Sequence, residues 1–265
     1  MILYIINLRF PLEKTPAVCY HKTVNVYGKV FLEMIKILYE DKFIIAAEKP
    51  CGILSEASEN DSESILSLVA AEKSIPAPMP VNRLDRNASG LILLAKNKSS
   101  AGKFSALVAE RSVNKEYLAI VHGKPETASG IYKDLLFKDS SSGKSYVTDR
   151  ERKGVKEALL EYRVLETKES EDGTLSLVRI KLHTGRTHQI RVQFSSRKTP
   201  LFGDGKYGSH TNRGEIALFS ARMSFVHPFT KKQTDIKSLP DTENYPWNIF
   251  DAELNMEIFD TDILI

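Results

Sequence analysis

Two short segments concentrate polar side chains against apolar, strand-like sequence. One is Asn82-Arg83-Leu84-Asp85-Arg86; the other is His183-Thr184-Gly185-Arg186-Thr187-His188-Gln189-Ile190-Arg191. A single carboxylate among several arginines is the setting a buried, ionised acid requires, because an unpaired charge is costly to bury. Two readings of Asp85 are open: a reacting carboxylate, or half of a structural ion pair at a domain edge. Residue types alone favour the ion pair, since such pairs are common.

Other literal matches fail on context. Gly203-Asp204-Gly205-Lys206-Tyr207-Gly208 fits a dinucleotide-binding pattern, but no strand–turn–helix unit surrounds it, so it reads as a glycine-rich turn. His183 and His188 stand five apart, a poor zinc-ligand spacing on a helix, and read as hydrogen-bonding groups. Cys19 and Cys51 belong to no Cys-x-x-Cys pair and read as free thiols, Cys51 as a small turn residue after Lys49-Pro50. Asn87 and Asn97 open Asn-x-Ser matches that carry no meaning in a chain that is not secreted.

The elements that must hold these segments follow from periodicity. Ile37 to Glu48 reads as strand, turn at Glu40-Asp41, strand, ending in the turn signal Lys49-Pro50-Cys51-Gly52. Ile65, Leu66, Val69 and Ala70 have helical spacing within 62–73, and Leu91 to Ala95 is short enough for a buried strand. Ser99 or Ser100 is the expected cap of a helix running to about Arg111. In Lys115–His122 the residues Tyr117, Ala119 and Val121 face one way and Leu118 and Ile120 the other. Residues 138–157 read as an exposed loop or hairpin; Ala158–Leu165 and Leu175–Leu182 read as strands. Ile190, Val192 and Phe194 alternate as a strand would. The expected fold class is α+β: a mixed, mainly antiparallel sheet with flanking helices.

The chain has 265 residues and a net charge of +3. Residues 241–265 hold seven acids and no Lys or Arg, so the +3 becomes +10 over residues 1–240. A basic body suits a polyanionic partner, or it is a solubilising surface; charge alone weighs the two evenly. No apolar run approaches the roughly 20 residues of a membrane-spanning helix, and no signal peptide is read at the apolar start. The expectation is a cytoplasmic protein without a membrane partner. Residues 1–36 are expected to be a lead-in, 37–240 the main domain, and 241–265 an acidic tail that packs loosely or is partly disordered.

Four stretches, in order, resemble the RluA-type family of pseudouridine synthases. They are Glu40-Asp41-Lys42 through Lys49-Pro50-x-Gly52; Arg83-Leu84-Asp85-Arg86 with Ser89-Gly90-Leu91; Lys115-x-Tyr117-x-Ala119-x-Val121-x-Gly123; and Thr184 to Val192 followed by Pro200, Gly203-Asp204 and Tyr207-Gly208. The resemblance covers about 38–229 and reverses the odds on Asp85. It departs from the family pattern at Asn82, where His is usual, and at Ala88, where Thr is usual. The separate RNA-binding domain that some relatives carry before the catalytic domain is not expected within the lead-in.

The resemblance implies the pseudouridine synthase catalytic-domain fold and an isomerase that converts uridine in structured rRNA or tRNA to pseudouridine. It implies Asp85 as the essential carboxylate, acting as nucleophile or as base, and Arg191 as its charge partner. Tyr117 would stack on the extruded uracil, Arg83 would fill the space it leaves, and Ile190 would line the pocket. No metal, no cofactor and a monomeric state are expected. Two rivals remain: a non-catalytic RNA-binding module on the same fold, and a glycosidase-like hydrolase with Asp204 as second acid.

Overall fold

The computed structural model describes residues 35–58, 63–211 and 215–264, with a short pairing of Asn25–Val26 and Lys29–Val30. The lead-in therefore lies mostly outside the described residues. The first hairpin, β1 (Ile37–Glu40) and β2 (Ile44–Lys49), turns where Asp41 accepts hydrogen bonds from the amides of Phe43 and Ile44. Helix α1 (Ile65–Lys73) follows, opened by a reciprocal Ser64–Ser67 cap. Next come β3 (Ser89–Ala95) and α2 (Lys98–Ala109). The cap of α2 is Asn97, whose side chain accepts from the Ser100 amide, and not Ser99 or Ser100 as the sequence suggested.

The rest of the sheet is β4 (Asn114–His122), β5 (Ser129–Asp139), β6 (Lys144–Thr148), β7 (Val155–Ser170) and β8 (Gly173–Leu182). After α3 (Gln189–Ser195) the chain returns through β9 (Leu218–Val226) and β10 (Gln233–Lys237). The strand order is β1-β2-β3-β9-β4-β8-β7-β5-β6, with β10 paired to β9 and the two residues Met79–Pro80 to β3. Only the β3–β9 contact is parallel among these pairings. The mainly antiparallel α+β reading is thus what the chain adopts. The hairpin expected within 138–157 is the β5–β6 turn and the loop into β7.

Alternation along the strands creates two buried faces. On the front, Ile45, Ile92, Tyr117, Ala119, Val121 and Ile180 pack against α1, α3 and the loop holding Leu84 and Ala88. On the back, Ile44, Leu91 and Leu93 pack under Phe104 of α2. The other half of the back, built on Leu118, Ile120 and Leu177, is covered by Phe250, Leu254 and Phe259. The segment after Pro240 therefore packs tightly, contrary to the expectation of a loose tail. Its backbone carbonyls take part too. Arg179 donates to the carbonyls of Ile258 and Thr261, and Arg222 to that of Phe259.

At the parallel contact, Gly90 lies opposite Ser220 with φ +100°. A Cβ there would stand 2.4 Å from the Ser220 carbonyl oxygen. The strained φ and the backbone clash act together, so Gly90→Ala is expected to cost roughly 3 kcal/mol or more. A urea-unfolding midpoint unchanged from the wild type would refute this.

Candidate active site

The 82–88 loop runs into β3 on the front of the sheet and is tied down from both sides. Asn82 accepts the Leu93 amide proton at 2.8 Å, fixing the start of the loop to β3. The Asn82 amide nitrogen, also buried, has no hydrogen-bond partner among the described residues. The Ser55 hydroxyl donates to the Leu84 carbonyl and accepts from the Leu84 amide. Gly52 and Arg86 exchange two more bonds. The turn at 50–56 is therefore a bracket for the Asp85 loop.

Beneath this bracket lies Lys49, fully buried. Its ammonium donates to the carbonyls of Pro50, Ile53 and Arg86 at 2.8, 2.8 and 3.1 Å. Burial pushes its pKa down to about 8, with the nearby Asp85 charge opposing that shift. Lys49→Met would remove all three donors at once and is expected to cost about 3 kcal/mol. Because the loop carrying Asp85 loosens, turnover should fall more than RNA affinity. Equal losses in kcat and in affinity would argue against a loop-holding role.

Asp85 is the partly open end of a charged chain, with its side chain 29% exposed. Its Oδ2 accepts from Arg191 Nη1 at 3.1 Å. The other edge of the Arg191 guanidinium forms a fork with Asp204, Nε to Oδ2 at 2.7 Å and Nη2 to Oδ1 at 2.9 Å. Arg191 also lies over the Tyr207 ring, 5.0 Å from its centre. Burial works against the guanidinium charge, and the two carboxylates outweigh it, so the Arg191 pKa is raised. A bidentate fork fixes the plane of the group and so aims its remaining Nη1 at Asp85.

His188 stands 3.9 Å from the same Asp85 oxygen, with its other ring nitrogen 2.8 Å from the Tyr207 hydroxyl. It opens α3 in a left-handed conformation at φ 54°, a strain found at functional sites. Burial lowers its pKa, and the Asp85 charge works in the opposite direction.

The structure thus brings Asp85, Arg191, Tyr117 and Ile190 together. Ile190 is buried in the first turn of α3, within the same core cluster as Leu84 and Ala88. Tyr117 is only 7% exposed, and burial pushes its phenol up to about 12, with the Asp85 charge adding to the shift and Ser220 opposing it. Arg83 is not part of this group. Its side chain is 76% exposed and reaches Glu56 at 3.4 Å. The strand reading at Ile190, Val192 and Phe194 is corrected to a helix. Reasoning from sequence missed Asp204 as the anchor of Arg191, although it had noted Asp204 as a motif residue. It also missed Lys49 and His188 as members of the site.

Asp204 is fully buried in its fork, so it cannot face a bond opposite Asp85 as a second hydrolytic acid. No cluster of potential metal ligands occurs among the described residues.

Residues 43–196 match the family model for RNA pseudouridylate synthase. The chain belongs to that family. A tRNA pseudouridine synthase C of Haemophilus influenzae is 31% identical over 222 residues, spanning 77% of this chain and 92% of the relative. Ribosomal large subunit pseudouridine synthase D of Zymomonas mobilis is 27% identical over 220 residues, 76% and 68% of the two chains. Human RNA pseudouridylate synthase domain containing 1 shares the fold, with a TM-score of 0.68 at 23% identity over 83% of this chain and 88% of that one. The RluA-type assignment made from the motifs stands, and membership makes the chain a pseudouridine synthase, an isomerase acting on RNA.

Proposed function

We propose that this pseudouridine synthase isomerises specific uridines in structured rRNA or tRNA, with Asp85 as the essential group. The observation that carries this reading is the forked Arg191, anchored on Asp204 and aimed at a partly exposed Asp85. In the reaction the N1–C1′ bond breaks, the uracil turns, a C5–C1′ bond forms and the C5 proton leaves. Asp85 acts at C1′ as nucleophile, or removes a ribose proton as base so that a glycal forms. The uridine must leave its stack first, at a cost of a few kcal/mol. Arg83, exposed at the rim, fills the vacated space with its planar guanidinium. Tyr117, buried near the Asp85 charge, stacks its ring on the extruded base, a contact worth roughly 1–3 kcal/mol. Ile190 closes the apolar floor. The +10 charge of residues 1–240 draws in the RNA. The protein acts as a cytoplasmic monomer, without metal or cofactor.

The test is to incubate the purified protein with RNA carrying 5-tritiated uridine. Tritium should be released while the base stays attached to the RNA, and unlabelled RNA should keep its mass, because the product is an isomer. Free uracil as the product would replace this reading with a hydrolase. RNA binding without tritium release from any rRNA or tRNA would leave only a binding module.

A further inference from the structure

The alternation of β4 places Lys115 on the front of the sheet with Tyr117, one strand repeat (roughly 7 Å) away from it. The intervening residue fixes the phase: Glu116 points to the back, where it pairs with Arg179 and Arg222. Lys115 Nζ comes up under the loop at 183–188, 3.7 Å from where a side chain on Gly185 would begin. That loop also carries His188, the neighbour of Asp85. Gly185, having no side chain, sets none against the ammonium. Among the described residues no carboxylate or hydrogen-bond acceptor pairs with it. Burial lowers its pKa, and no neighbouring charge offsets the effect.

A half-buried ammonium without a counter-ion is costly unless an anion arrives. Asp85 is not available to serve, since Arg191 holds it. The anion that RNA supplies at this distance from a base is its own backbone. We propose that Lys115 binds a phosphodiester of the target strand, next to the nucleotide held against Tyr117. The inference rests on the RNA-modifying reading above. A compact ammonium suits a single phosphate oxygen better than a planar fork would. Lys115 is a binding residue here; it touches the backbone and not the reacting bond.

The test uses a stem–loop RNA with an all-uridine loop and measures Kd over a range of salt concentrations. Lys115→Met should bind roughly ten-fold more weakly. Its plot of log affinity against log salt should be shallower by about 0.7, the signature of one lost single-strand phosphate contact. Lys115→Arg should keep the wild-type slope. A neutral methylphosphonate at one loop linkage should weaken the wild type by a similar factor and leave Lys115→Met unaffected. A wild-type slope in Lys115→Met overturns the proposal. So does a wild-type protein indifferent to every methylphosphonate, a result that needs no variant to fold. Should the wild type bind no RNA at all, the proposed function fails together with this inference.

Discussion

Asp85→Asn is expected to cut tritium release from 5-tritiated uridine in RNA by at least about a thousand-fold, with RNA affinity within a few-fold of the wild type. The substitution keeps the shape of the side chain and an oxygen to accept from Arg191 Nη1. What it removes is the charge and the lone pair that either route needs. Stability points the other way. In the wild type, two carboxylates share one guanidinium, with Asp85 on one side and Asp204 on the other. Neutralising Asp85 leaves one cation and one anion in the fork, so the thermal midpoint should hold or rise slightly. Loss of activity without loss of stability is the pattern of a residue retained for chemistry. Parallel losses in both would return Asp85 to the structural ion pair that its residue type alone suggested.

Arg191→Met should have the largest effect on the fold. It leaves Asp204, wholly buried, without a counter-charge. Breaking a buried pair from one side typically costs about 3–5 kcal/mol, well above the net worth of the pair itself. Urea denaturation of Arg191→Met should show that loss, together with negligible turnover. The double variant Arg191→Met with Asp204→Asn removes the stranded charge and should recover part of the stability, though none of the activity. Additive losses in the two single variants and the double would show that the two residues do not act as a unit.

Much of the sheet was legible because its strands alternate. Tyr117, Ala119 and Val121 were assigned to one face and Leu118 and Ile120 to the other, and these sets fall into different core clusters. Helix α3 was not legible, for a definite reason. It is seven residues long and Gln189 through Phe194 are all buried, polar side chains included. A helix buried on every side has no amphipathic stripe, so the apolar residues at 190, 192 and 194 mimic a strand. The C-terminal segment misled through composition. Its acids suggest a solvated tail, while its attachment depends on Phe250, Leu254 and Phe259 and on backbone carbonyls, which composition does not report.

In the site, Asp85 and Arg191 were legible only through the company of four motifs. The fork to Asp204 depends on a turn that brings residues thirteen apart into contact, which no local periodicity encodes. Lys49 is a sharper case. In sequence it is only part of a turn signal, yet here it is buried because three carbonyls of an irregular loop need donors. Asn82 shows the reverse. It departs from the motif, yet its side-chain oxygen ties the start of the loop to β3 through the Leu93 amide.

The most direct measurement is carbodiimide-based pseudouridine mapping of total RNA from cells with the gene, without it, and complemented with either wild type or Asp85→Asn. The expected result is at least one rRNA or tRNA pseudouridine that disappears on deletion, returns with the wild type and stays absent with Asp85→Asn. An unchanged map on deletion, or a site restored by Asp85→Asn, would contradict Asp85-driven pseudouridine formation by this protein.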